Sequence, residues 1–166
     1  MKYVVKFFAI ITFLCFISGI FVKGSRAFIA IDRNAFYAVM SGNDVNKINI
    51  VLADMSMNAT AVNLAFEGAL MMMKAGLLSK PKEKLHIFKN GRKKLEAAIL
   101  SDPDNIEYRF LRLMIQENAP KIVKYKNDIE NDKRLIRNSF KKLSPVTQQA
   151  IKDYTKKSKI LIITDI

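Results

Sequence analysis

Four prolines, Pro81, Pro103, Pro120 and Pro145, punctuate this chain at the boundaries between stretches of helical periodicity. Proline has no N–H and clashes with the preceding turn, so a helix tolerates it at the start and breaks around it elsewhere. Pro145 follows Ser144 and Pro103 follows Ser101-Asp102, so both read as a first helical residue behind a polar cap. Pro81, behind Ser79-Lys80, opens a helix less neatly, and Pro120 comes after the stop Asn118-Ala119. With apolar residues at three- and four-residue steps between these marks, the chain is predicted to be all-α.

The segments follow in order. Arg33 to Ser41 is a short helix closed at Gly42, with Asn43-Asp44 capping the next, Asp44 to Met55. Ala59 to Leu78 is apolar nearly all round, which predicts a central position. Asn58, in the sequon Asn58-Ala59-Thr60, reads as its N-cap. Pro81 to Leu100 carries the stripe Leu85, Phe88, Gly91, Leu95 and Ala98, and Pro103 to Gln116 presents Ile106, Phe110, Leu113 and Met114. Pro120 to Leu143 reads as one long helix with Ile122, Tyr125, Ile129, Ile136 and Phe140 on a face, and Pro145 to about Lys157 closes the series. Joining loops of about two to five residues favour antiparallel hairpins. The β-branched tail Ile160 to Ile163 is expected to dock loosely.

The N-terminus sets the compartment. Lys2 and Lys6 precede an apolar run, Phe7 to Val22, and Ser25-Arg26-Ala27 supplies small residues for cleavage. That is the layout of a secretory signal peptide, residues 1–27, with a run slightly short of the roughly 18–20 residues of a membrane-spanning helix. An uncleaved anchor is the alternative. Removing 27 of 166 residues leaves 139, residues 28–166, which suits a single helical domain. Cys15, the only cysteine, lies in the leader behind Leu14 rather than a small residue, which argues against lipid attachment. The leader also takes four positive charges from the total of +13, leaving +9 on the mature domain. Such a charge favours anionic partners, and export makes nucleic acid the least expected of them.

Catalytic and cofactor chemistry has little to stand on. His86 is the single histidine, flanked by Leu85, Ile87 and Phe88, and no mature cysteine exists. A Ser-His-Asp arrangement would hang entirely on His86, which reads as a packing or surface residue, and one histidine cannot supply a zinc set. Gly42, Gly68, Gly76 and Gly91 are too scattered for a phosphate loop. Met71, Met72 and Met73 are consecutive on a helix and cannot converge on one soft metal ion, so they read as core. We therefore expect no catalytic residue, cofactor or metal. Glu67, between Phe66 and Gly68, is the one acid whose neighbours could desolvate it, and it alone would serve a cell-envelope glycan hydrolase.

The basic residues carry the functional expectation. Lys126, Lys133, Arg137 and Lys141 fall at steps of seven and four, along one side of the expected long helix. Arg92, Lys93 and Lys94 lie on the fourth helix, and Lys152, Lys156, Lys157 and Lys159 mark the end of the chain. Arg109 and Arg112, three apart at the edge of an apolar stripe, suit either an internal carboxylate or a ligand. Arg109, Arg112, Lys126, Lys133, Arg137 and Lys141 are thus the candidate partner-binding residues.

Gly91, Leu95, Ala98 and Pro103, in the stretch GRKKLEAAILSDP, have the spacing of the second half of a tetratricopeptide repeat. There the small residues let helices approach, Leu95 fills the space between them and Pro103 marks the repeat boundary. The stretch resembles that family over about 30 residues, with Ala75 and Lys82 where the family carries Trp and Tyr. The resemblance implies tetratricopeptide-like helical hairpins, about six to seven helices in all. The leader together with the run Asp102 to Pro120 also resembles small uncharacterised exported proteins of Bacteroidetes, which implies a bacterial periplasm or envelope and supplies no activity. The combined expectation is an exported, non-catalytic scaffold or binding module that meets a protein or an anionic envelope component. Its oligomeric state is not legible from the sequence.

Overall fold

A computed structural model describes residues 31–57 and 61–166, and the leader and Asn58 lie outside the described residues. These residues form seven α-helices, three short 3-10 segments and no strand: α1 (Arg33–Ser41), α2 (Val45–Met57), α3 (Ala61–Leu77), α4 (Pro81–Ser101), α5 (Ile106–Asn118), α6 (Ile129–Ser139) and α7 (Pro145–Thr155). Side-chain caps set several starts. Asp32 accepts from the amides of Asn34 and Ala35, Asp44 from those of Asn46 and Lys47, and Ser144 from that of Thr147. Each such cap contributes about 1 kcal/mol.

The closest helix packing is between α3 and α4, which are joined by residues 78–80 alone. A three-residue connection between helices packed along their lengths leaves them antiparallel. The crossing is built on Gly68 and Gly91, where the two backbones touch. α5 lies against α3, α4 and α6 and is the most buried helix described, with Phe110, Leu111 and Leu113 fully enclosed. Centrality was expected of the apolar third helix. α3 does pack against α2, α4 and α5, and α5 shares the central position because its charged residues Glu107 and Arg112 are buried with partners, which the periodicity of apolar residues alone understates. An aromatic seam ties the core together: Phe36 meets Phe66 edge-on at 4.6 Å, and Phe110 meets Tyr154 at 5.7 Å. Such contacts add about 0.5–1.5 kcal/mol each beyond area burial.

The stretch 120–143 is not one helix. After a 3-10 turn at Lys121–Val123, Lys124 adopts a left-handed conformation (φ 46°), and α6 begins only at Ile129. The physical reason lies in the side chains. Tyr125 turns inward onto Phe88 and Glu96, whereas Ile122, its neighbour on the expected stripe, is 87% exposed. A straight helix would put both on the same face. Pro103 likewise does not open a helix. It sits in the turn between α4 and α5, its carbonyl accepts two bonds from the Arg109 guanidinium, and Asn105 caps α5 instead. The tail docks at Leu161, which is fully buried, and Ser158 Oγ accepts from the Ile160 and Leu161 amides, while Ile162 and Ile163 stay exposed. Among the described residues, no helix is long and apolar enough to cross a membrane.

Candidate functional site

One end of the helical array carries a groove of about 1180 Å³, framed by the C-terminal turns of α1, α3 and α5, the first three turns of α4 and the 3-10 turn after Pro120. Met72, Ala75, Phe88, Met114 and Ile115 form an apolar floor, and Leu85 and Ile122 stand at its lips, 46% and 87% exposed. Methionines contribute to both floor and walls, including Met40 and Met73. Their unbranched, polarisable side chains adapt to irregular occupants. The floor follows from α4's sequence: Lys84, Phe88 and Arg92 recur every four residues, with Leu85 and Lys89 one step round the helix.

Cations surround this floor. Lys84, Lys89 and Arg92 line it from α4, and Lys157 from the end of α7. Arg92 stacks 4.5 Å above the Tyr125 ring and Lys157 5.8 Å from the Tyr154 ring, so both heads are held near the groove by aromatic faces. Glu117 is the one acid among the lining residues, and it is occupied internally. Its carboxylate accepts from Tyr154 OH at 2.7 Å, Ser158 Oγ at 2.6 Å and the Lys159 amide at 2.7 Å. Partial burial works against the charged form, but these donors outweigh it and hold the carboxyl below its ordinary range. Burial, with the same carboxylate adding to it, pushes the Tyr154 hydroxyl well above its ordinary range.

Two further networks hold α5 in place. Arg112 donates to both carboxylate oxygens of Asp132, at 2.7 and 2.8 Å, and to Glu96 at 3.0 Å, with Asp128 at 3.5 Å. Burial disfavours its charge, yet the bonds to Asp132 prevail and raise its pKa. Burial lifts the Asp132 carboxyl above its ordinary range against the pull of the same arginine. At the other end of α5, Glu107 accepts from Arg33, Tyr37 and Thr147, which draws α1, α5 and α7 together.

The sequence-derived candidates are dispersed. Arg112 is buried in its carboxylate cluster, and Arg109 bonds the Pro103 carbonyl with Asp132 at 3.8 Å. Lys126 lies off any helix and donates to the Glu117 carbonyl. Lys133 and Arg137 share α6, and Lys141 sits in the 3-10 turn after it, so the expected row of four is split because α6 begins only at Ile129, beyond Lys126. Glu67 pairs with Lys94 at 2.6 Å across α3 and α4 and does not line the groove. His86 is exposed and bonded to Asn90. Met72 and Met73 do reach the groove, as lining rather than as ligands. Sequence reasoning missed Lys84 and Lys89, although their alternation with Leu85 and Phe88 was a readable signal. Among the described residues, no group of His, Cys, Asp and Glu is placed to hold a metal ion. Comparison with protein-family models, with curated proteins and with solved structures finds no match.

Proposed function

We propose that this protein is an exported, non-catalytic helical binding module that meets an anionic protein or envelope component. The observation that carries the reading is the groove: an apolar floor bordered by four cations, whose single lining acid is committed to internal donors. Glu96, Glu107, Asp128 and Asp132 are drawn into contacts with three arginines, Arg33, Arg109 and Arg112, and Glu117 is held by Tyr154, Ser158 and the Lys159 amide. The leader's layout supports export, and the close α3–α4 pair with Gly91 and Leu95 at its crossing supports a tetratricopeptide-like hairpin.

The hydrolase alternative rested on Glu67, whose carboxylate is held by Lys94. The test of the binding reading uses the protein purified from cells in its processed form. Mass spectrometry of its N-terminus is expected to begin at Phe28, and a chain retaining the leader would overturn the cleavage proposal. Association with an envelope fraction is expected to fall by at least about tenfold as salt rises from about 0.05 to 0.5 M. Association that does not change with salt would overturn the anionic partner.

A further inference from the structure

We infer that the groove takes an acidic amphipathic helix of a partner protein, laid along α4 with its apolar face on the methionine-rich floor. This rests on the binding-module reading and specifies its occupant. Three observations carry it, beginning with the spread of charge. Lys84, Lys89 and Arg92 lie along eight residues of α4, about 12 Å at 1.5 Å per residue. A single-headed lipid concentrates its charge at one point and would leave most of that row facing hydrocarbon. A helix with acids on one edge carries matching charge along the same length.

The second is shape. The groove's volume of about 1180 Å³ is framed by helix ends, with the exposed Leu85 and Ile122 as apolar lips rather than a closed cavity. An amphipathic helix, about 10–12 Å across with its side chains, can bury one face there and keep the other wet. The third is the exposure of the lips. Ile122, in the turn that replaces a continuous helix, has little protein around it, and Leu85 on α4 is also an exposed lining residue. Together they offer anchors for the apolar positions i, i+3, i+4 and i+7 of a docked helix. The chain's own N-terminal segment is a poor occupant because its charged residues, Lys2, Lys6, Lys23 and Arg26, are all basic.

The test uses a labelled synthetic helix of about 15 residues, with Leu and Met on one face and Glu along the flanking edge. It is titrated against the processed protein by fluorescence anisotropy. A second peptide carries Lys in place of Glu, and vesicles of phosphatidylglycerol form a separate arm. The acidic helix is expected to bind and the basic one to fail. K84E/K89E is expected to weaken binding by at least about tenfold, and I122D by about fivefold, while K47E, on the exposed face of α2 and outside the groove, leaves it unchanged. Circular dichroism confirms that each variant folds, and Ile122 is exposed enough to change without disturbing the core. Equal binding of the two peptides, or equal loss with K47E, overturns the inference. If the vesicles bind and the acidic helix does not, the occupant is a membrane surface and the binding-module reading survives. If neither binds and envelope association is also insensitive to salt, the reading itself falls.

Discussion

Gly68 of α3 and Gly91 of α4 face each other so closely that a Cβ on either would lie 2.6 Å from the other's carbonyl oxygen. The Gly68 position is further closed by the Leu95 amide nitrogen at 2.7 Å. These obstacles are backbone atoms, which cannot swing aside as a side-chain end can. The two helices therefore meet at a distance that only a pair of glycines permits.

Alanine at either position is expected to force the helices apart. In an exposed helix the exchange would gain up to about 1 kcal/mol from propensity. Here overpacking is expected to outweigh that gain and leave a net loss of about 2 kcal/mol. Gly76 provides the control, because a Cβ there meets nothing within 4 Å. G76A is expected to stabilise by about 0.5 kcal/mol. Urea unfolding of G68A, G91A and G76A checks the contrast, and a neutral G68A would show that the crossing can relax.

The Arg112 cluster is expected to respond asymmetrically. Removing Arg112 takes the two close bonds from the fully buried Asp132, leaving Arg109 at 3.8 Å, and leaves Glu96 and Asp128 without their shared cation. R112A is expected to cost about 3–5 kcal/mol. D132A leaves Arg112 still bonded to Glu96, so its cost is expected to be smaller. Replacing both by apolar residues, R112M/D132L, removes the charges together and is expected to cost less than R112A alone. Chemical denaturation of the three variants tests this order, and equal losses for R112A and D132A would show that Glu96 and Asp128 contribute nothing.

Glu117 gives the C-terminal tail a pH dependence. Its carboxyl is held below its ordinary value in the folded state, so its contribution is fully present above about pH 4.5. That contribution is lost as pH falls through the lower folded-state value, when protonation weakens the bonds from Tyr154, Ser158 and Lys159. Amide hydrogen exchange at residues 158–161 is expected to accelerate over that acidic window before α5 does. E117Q is expected to loosen the same amides at neutral pH and remove their acid sensitivity. Unchanged protection in E117Q would mean that buried Leu161 alone anchors the tail.

Helix positions were legible where proline and a polar cap coincide, as at Ser144-Pro145, because both signals act on local backbone. They were misread where a tertiary partner redirects the chain. Nothing local marks Lys124 for a left-handed turn; the inward draw of Tyr125 toward Phe88 and Glu96 accompanies it. The role of Gly91 was visible in its motif, whereas Gly68 was legible only as a glycine until the partner helix was placed against it. Arg112 could be recognised as suited to an internal carboxylate, but Asp132, twenty residues on, could not be named as that carboxylate. The groove was hidden for the same reason: it joins the ends of helices far apart in sequence, and only α4's alternation of cations and apolar residues hinted at it.

The Glu107 hub tests how far a buried carboxylate can share its donors. Its Oε1 accepts from Arg33 Nε at 3.0 Å, Tyr37 OH at 3.0 Å and Thr147 Oγ1 at 2.9 Å, three donors on one oxygen. Losing one lets the others tighten, so Y37F and T147V are each expected to cost about 1 kcal/mol or less. Losing both leaves the carboxylate to Arg33 alone, whose side chain is 35% exposed and free to fluctuate into water. The double variant is therefore expected to cost more than the sum of the singles, by an excess above the roughly 0.3–0.5 kcal/mol within which independent sites add. Additive losses in urea unfolding would mean that Tyr37 and Thr147 serve the carboxylate independently, and that α1 and α7 are held to α5 by separate contacts.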